Sequence, residues 1–88
     1  MRHPDLEFQV QADSPHSDYY KTWGEACEAA VRTSASREVP VYIDVLTWSR
    51  AGARAWGGDD AAERYSEDPE ASVFERFVIR VESQGRIP

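Results

Sequence analysis

Val39-Pro40-Val41-Tyr42-Ile43-Asp44-Val45-Leu46-Thr47-Trp48 is the most apolar run of this 88-residue chain. Side chains alternate across a strand, so Val41, Ile43, Val45 and Thr47 share one face while Tyr42, Asp44, Leu46 and Trp48 share the other. Both sets carry bulk. A strand with one wet face would keep one set polar, so the pattern predicts a central strand whose second face is partly covered. Pro40 stands at its start, where a missing N–H is tolerated.

Upstream, Leu6-Glu7-Phe8-Gln9-Val10-Gln11-Ala12 alternates strictly and predicts a half-buried strand. Asp13-Ser14-Pro15-His16-Ser17-Asp18 reads as a loop of bending and capping residues. Tyr19 and Tyr20 then read as part of a contact surface or as a staple for the helix that follows. Thr22-Trp23-Gly24-Glu25 has the form of a capping box. Behind it Trp23, Ala26, Cys27, Ala30 and Val31 make one apolar stripe on a helix ending near Ser34 to Arg37.

Downstream, Ser49 is placed to cap a short helix, Arg50 to Trp56, which Gly57-Gly58 stops. Asp59 or Asp60 starts a second short helix reaching about Glu67, and Pro69 ends it. Val73 to Glu82 reads as a strand, with Val73, Phe77, Ile79 and Val81 inward and Arg76, Arg80 and Glu82 outward. Glu75 falls on the inward parity, which marks a fraying end or a bulge. The expected fold is α+β: a two-layer sandwich in which a three-stranded sheet carries one main helix on one face, in the order β-α-β-short α-β. A crossover through the capped helix would make the first two strands parallel. Residues 1–88 form one small domain, with 1–4 and 84–88 expected to be flexible.

Ten aromatics, three of them Trp, suit a chain that must build an efficient core at this length. An apolar fraction of 41% beside 30% charged residues is ordinary for a globular protein. No apolar run approaches the eighteen or so residues of a membrane span. The first residues lack the apolar core of a secretory signal, and the single cysteine, Cys27, has no internal disulfide partner. Both features predict a cytoplasmic protein.

The charge is uneven. Asp59 to Glu75 holds seven acids (Asp59, Asp60, Glu63, Glu67, Asp68, Glu70 and Glu75) against one base, Arg64, which equals the net charge of −6 for the whole chain. On a helix from Asp60, the acids Asp60, Glu63 and Glu67 share one side while Ala61, Ala62 and Tyr65 share the other. Neighbours three or four apart stand about 5–6 Å between Cβ atoms, similar to phosphates along a nucleic-acid strand. Such a face could mimic DNA and occupy a basic groove. It is equally explained as a solvated face, with acids favoured near the helix start by the dipole and Arg64 pairing locally with Asp60.

Other chemistry-bearing residues have plain readings beside functional ones. Cys27 lies on the apolar stripe and reads as a small buried hydrophobe; His3 and His16, its only candidate bases, fall in a frayed terminus and a polar loop. Asp44 shares a face with Leu46 and Trp48, and needs a partner such as Arg76 or Arg80. As a catalytic acid it would want a second carboxylate and a cleft. Trp48, Arg50, Arg54 and Trp56 interleave aromatics with bases, yet lie beside the acids, which would take up those arginines. There is no Gly-rich phosphate loop, no paired Cys or His metal motif and no Ser-centred elbow. No cofactor and no metal are expected, and no enzymatic activity.

The segments Thr22-Trp23-Gly24-Glu25-Ala26, Trp56-Gly57-Gly58-Asp59-Asp60 and Asp68-Pro69-Glu70-Ala71-Ser72-Val73-Phe74-Glu75-Arg76 resemble small uncharacterised proteins of proteobacterial plasmids and integrative elements. The resemblance implies a mobile-element setting, where compact acidic proteins inhibit host defence systems by contact. It carries no activity over. The functional expectation is a non-enzymatic acidic interaction protein. Its partner-binding face would be Asp59, Asp60, Glu63, Glu67, Asp68 and Glu70, set against a protein partner with a basic surface; no direct nucleic-acid or membrane contact is expected. The alternative is a structural or assembly module forming a homodimer through an exposed sheet edge.

Overall fold

The two-sided bulk of Val41–Thr47 is satisfied by a place inside the sheet. In the computed structural model, which describes residues 3–12, 17–65 and 73–81, the elements are β1 (Leu6–Gln11), β2 (Ser17–Tyr20), α1 (Trp23–Arg37), β3 (Val41–Thr47), α2 (Arg50–Tyr65) and β4 (Val73–Ile79). The strands form one sheet in the order β2-β1-β3-β4, with every pair antiparallel. Both helices lie on one face, where Leu6, Phe8 and Val10 of β1 meet Val41, Ile43 and Val45 of β3 and Ala26 and Ala30 of α1. The α+β class holds, with four strands and two long helical runs where three strands and one main helix were expected.

The added strand explains the other topological correction. Ser17-Asp18-Tyr19-Tyr20 is short and polar, so it shows no apolar alternation and Ser17-Asp18 reads as loop. Its strand character comes from pairing with β1, Phe8 opposite Tyr20 and Gln11 opposite Ser17. Gln9 Nε2 reinforces it by donating to Ser17 Oγ and to Tyr19 Oη, each at 3.0 Å. The hairpin reverses the chain before α1 begins. The crossover therefore joins β2 to β3, which run the same way, and β1 fills the space between them antiparallel to both.

Helix α1 starts with the forward half of the capping box, Thr22 Oγ1 accepting the Glu25 N–H at 3.2 Å. It stops at Glu38, which takes a left-handed conformation (φ 57°) and donates its N–H to Ser34 O. The buried stripe is Ala26, Ala29, Ala30 and Ser34. It is rotated from the expected one: Val31 is exposed and Cys27 only half-buried. Small residues win the inner face because they let the helix approach the sheet closely. Ser34 is buried by design: its Oγ donates to Val39 O and accepts the Val81 N–H, both at 2.9 Å. One hydroxyl thus ties α1 to the start of β3 and the end of β4.

Helix α2 is two helical segments across a break. Gly57 (φ −130°, ψ 15°) and Gly58 (φ 80°, ψ −161°) leave helical geometry, and Gly58 adopts a region that side chains resist. The expected stop at Gly57-Gly58 is therefore present. Ser49 Oγ caps the first segment by accepting the Gly52 N–H at 3.0 Å and donates to Asp5 Oδ2 at 2.7 Å, pinning the helix to the start of β1. Ala61, Ala62 and Tyr65 of the second segment are buried, as their spacing predicts. Ala61 and Tyr65 pack with Ala53 and with Phe74 of β4.

Strand β4 carries a bulge. Val45 pairs with Glu75 but Leu46 pairs with Val73, leaving Phe74 as the extra residue. The bulge flips the parity, so Phe74 and Glu75 both turn toward the helices. Val73, expected inward, is exposed on the opposite face. Phe77 and Ile79 face the core as anticipated. The expected end of the second helix at Glu67, the Pro69 stop, the loop at 13–16 and the tail at 84–88 lie outside the described residues.

A Cβ added at Gly52 would collide with Thr47 Oγ1 and stand 2.9 Å from Asp5 O, neither of which is a free side-chain tip. Alanine is a better helix former than glycine by about 1 kcal/mol. The collision should outweigh that gain: Gly52→Ala is expected to lower stability by about 1–3 kcal/mol, read from urea unfolding. A variant as stable as the parent would show that α2 does not seat against β3 this closely.

Candidate functional site

The acids of α2 project from a segment whose roll is fixed. Ala61 and Ala62 face inward, so Asp59, Asp60 and Glu63 are left exposed. Among the described residues, Asp60 and Glu63 make no hydrogen bond or ion pair. Asp59 accepts from Arg54 Nε at 3.0 Å, which fits the expectation that the arginines of this stretch meet its acids. Both partners are solvent-exposed, and such pairs contribute at most about 1 kcal/mol. Glu67, Asp68 and Glu70 lie outside the described residues.

Arg64 does not turn back to Asp60 as its spacing suggested. Its Cζ sits 4.4 Å over the Phe74 ring and its Nη2 lies 3.8 Å from Glu75 Oε1. The ring and a second carboxylate across the groove offer more than one exposed acid on the same helix. Glu75 also accepts the Trp56 indole N–H at 2.8 Å, which accounts for an acid on the inward parity. Trp56, Gly57, Asp60, Ala61, Arg64 and Glu75 line a cleft of ≈ 280 Å³ at the glycine break. The Trp56–Glu75 pair was missed in the sequence. Its signal was there: an acid at an inward strand position needs a donor, and a buried indole needs an acceptor.

On the face away from the helices, a polar row crosses all four strands. Tyr19 stands opposite Gln9, Gln9 opposite Asp44, and Asp44 opposite Arg76. Asp44 is 1% exposed, yet both of its oxygens accept hydrogen bonds. Arg76 Nε and Nη2 donate to its two oxygens at 2.6 and 2.9 Å, and Gln11 Nε2 donates at 2.8 Å. The hydrogen bond to Asp44 and its charge raise the Arg76 guanidinium above its ordinary pKa. Of the two arginines expected as partners, Arg76 is the one that pairs. The guanidinium also stands 5.2 Å from the Tyr42 ring centroid. Three hydrogen bonds to its two oxygens make this carboxylate an anchor between β1, β3 and β4.

The remaining readings separate. Cys27 is half-buried, and burial pushes its thiol up from its ordinary pKa, which lowers the thiolate fraction. His3 Nδ1 accepts the Asp5 N–H at 3.1 Å, and His16 is outside the described residues. The interleaved aromatics and bases do not converge: Trp48 is exposed, whereas Trp56 packs into the core. Among the described residues no group of three or more His, Cys, Asp and Glu gathers to hold a metal ion. No helix there is long and apolar enough to cross a membrane.

Breaking the Asp44–Arg76 pair from one side strands a buried charge, while removing both partners does not. Arg76→Leu should therefore lower the thermal midpoint by several degrees, and Asp44→Leu/Arg76→Leu should recover much of the loss. If the double variant is as unstable as the sum of its singles, the pair is not coupled. Comparison of the chain with protein-family models, with curated proteins and with solved structures gives no match.

Proposed function

We propose that the chain is a non-enzymatic interaction protein that offers the acids of α2 to a basic surface on a protein partner. One observation carries the reading: burial of Ala61, Ala62 and Tyr65 fixes the roll of the segment, so Asp59, Asp60 and Glu63 stay in solvent together. A flexible acidic tail would lose entropy on ordering each carboxylate, whereas a packed helix has already ordered its backbone. A surface that normally takes nucleic-acid phosphates is the complementary partner, since its attraction is mostly electrostatic. Inhibition of a host defence nuclease by such contact fits both this chemistry and the mobile-element setting that the sequence resemblance implies. The acidic face would extend through Glu67, Asp68 and Glu70. The paired oxygens of Asp44 and the raised pKa of Cys27 support the non-enzymatic part of the reading.

The test is affinity capture from host lysate with the parent chain beside Asp60→Asn/Glu63→Gln/Glu67→Gln. Proteins held by the parent at about 50 mM salt should be lost from the variant, and lost from the parent at about 500 mM, where screening shortens to a few Å. Recovery of the same proteins by both chains would end the acidic-face reading.

A further inference from the structure

The cleft at the glycine break of α2 has the form of a socket, and we infer that it takes one arginine side chain of the basic partner. The inference rests on the acidic-face reading for its partner, because Asp60 belongs to both the face and the cleft. Gly57 gives the cleft a floor of bare backbone. A Cβ there would stand 2.8 Å from the Ala61 Cβ, so glycine is what lets the two helical segments come this close. Trp56 and Ala61 make the apolar walls, and Asp60, Arg64 and Glu75 are the charged lining.

Size and charge select the occupant. At ≈ 280 Å³ the cleft falls just below the about 300–1,000 Å³ of small-molecule sites, and suits a single long side chain. Its lining holds two carboxylates and one guanidinium. One further cation makes it neutral, whereas an anion is repelled. The resident cation does not complete that balance. Arg64 is drawn over the Phe74 ring and stands 3.8 Å from Glu75 Oε1, and Asp60 has no ion pair among the described residues.

Trp56 decides between the two long cations. Its N–H is already donated to Glu75, so what it offers an incoming group is ring surface. A planar guanidinium stacks on an indole and still turns its N–H groups to carboxylates at its edge; a compact ammonium does this less well. Arginine seated in a pocket is a frequent anchor of protein interfaces.

The probe is N-acetyl-arginine amide, titrated into the isotope-labelled full chain at about 20 mM salt while the indole N–H resonances are followed. The Trp56 resonance should shift and saturate with a Kd of about 1–10 mM, while that of the exposed Trp48 stays in place. N-acetyl-lysine amide should bind more weakly, and the neutral N-acetyl-citrulline amide should move nothing. Asp60→Asn and Glu75→Gln should each weaken binding about threefold to fivefold; an amide oxygen still accepts the indole N–H, so the cleft keeps its shape. Asp59→Asn/Glu63→Gln, which leaves the cleft lining untouched, should bind the probe like the parent. A Trp56 resonance that stays still, or that moves equally for lysine, for citrulline or in Asp60→Asn, would overturn the inference. The two readings fail separately. A still resonance beside partners lost from Asp59→Asn/Glu63→Gln ends the socket alone; a saturating shift beside partners kept by that variant leaves an arginine site and ends the acidic face.

Discussion

Four aromatic rings from four different elements hold this molecule in its layered form. Trp23 opens α1, Trp56 stands just before the glycine break of α2, and Phe8 and Phe77 face them from β1 and β4. The ring centroids lie 5.1 Å apart for Trp23–Trp56 and for Trp23–Phe77, and 5.5 Å for Phe8–Trp56, all tilted or edge-on. Phe8–Trp23 at 5.8 Å and Trp56–Phe77 at 6.1 Å complete the cluster. Such pairs contribute about 0.5–1.5 kcal/mol each beyond their buried area. Five of them are a large share of the about 4–13 kcal/mol expected for a domain of this length. The Trp56 N–H bond to Glu75 then fixes which way the indole points.

That cluster decides where everything else goes. With both helices drawn to one side by their tryptophans, the acids of α2 belong to the helical layer. On the opposite sheet face Tyr19 and Val78 are exposed, while Leu46 and the paired Asp44 are buried.

Much of this was legible in the chain because local rules and tertiary packing agreed. Leu6 to Gln11 alternates and forms β1; Thr22 caps α1; Gly57-Gly58 breaks α2; Ala61, Ala62 and Tyr65 turn inward; Asp44 finds Arg76. The failures have physical causes. Ser17 to Tyr20 has neither length nor apolar alternation, and becomes a strand only because β1 offers an edge and Gln9 bridges to it. The roll of α1 was misjudged by one position because Ala29 and Ser34 favour close approach to the sheet over the bulk of Val31. Glu75 on the inward parity signals a fraying end or a bulge; pairing with β3 places the bulge at Phe74, and that turns Val73 outward. The pairing of Trp56 with Glu75 joins residues nineteen apart across two elements. An inward acid signals the need for a donor, but which donor answers depends on how α2 packs against β4.

The aromatic cluster holds both helices to one sheet face, and among the described residues neither helix packs on the other. Proton–proton NOEs on an isotope-labelled chain measure it most directly. The account predicts strong contacts from the Trp56 ring to Trp23, Phe8 and Phe77, with none from either helix to the rings and methyls of Tyr42 or Val78. Contacts from α1 or α2 to Tyr42 or Val78, or a Trp56 ring without contact to Trp23, would contradict it.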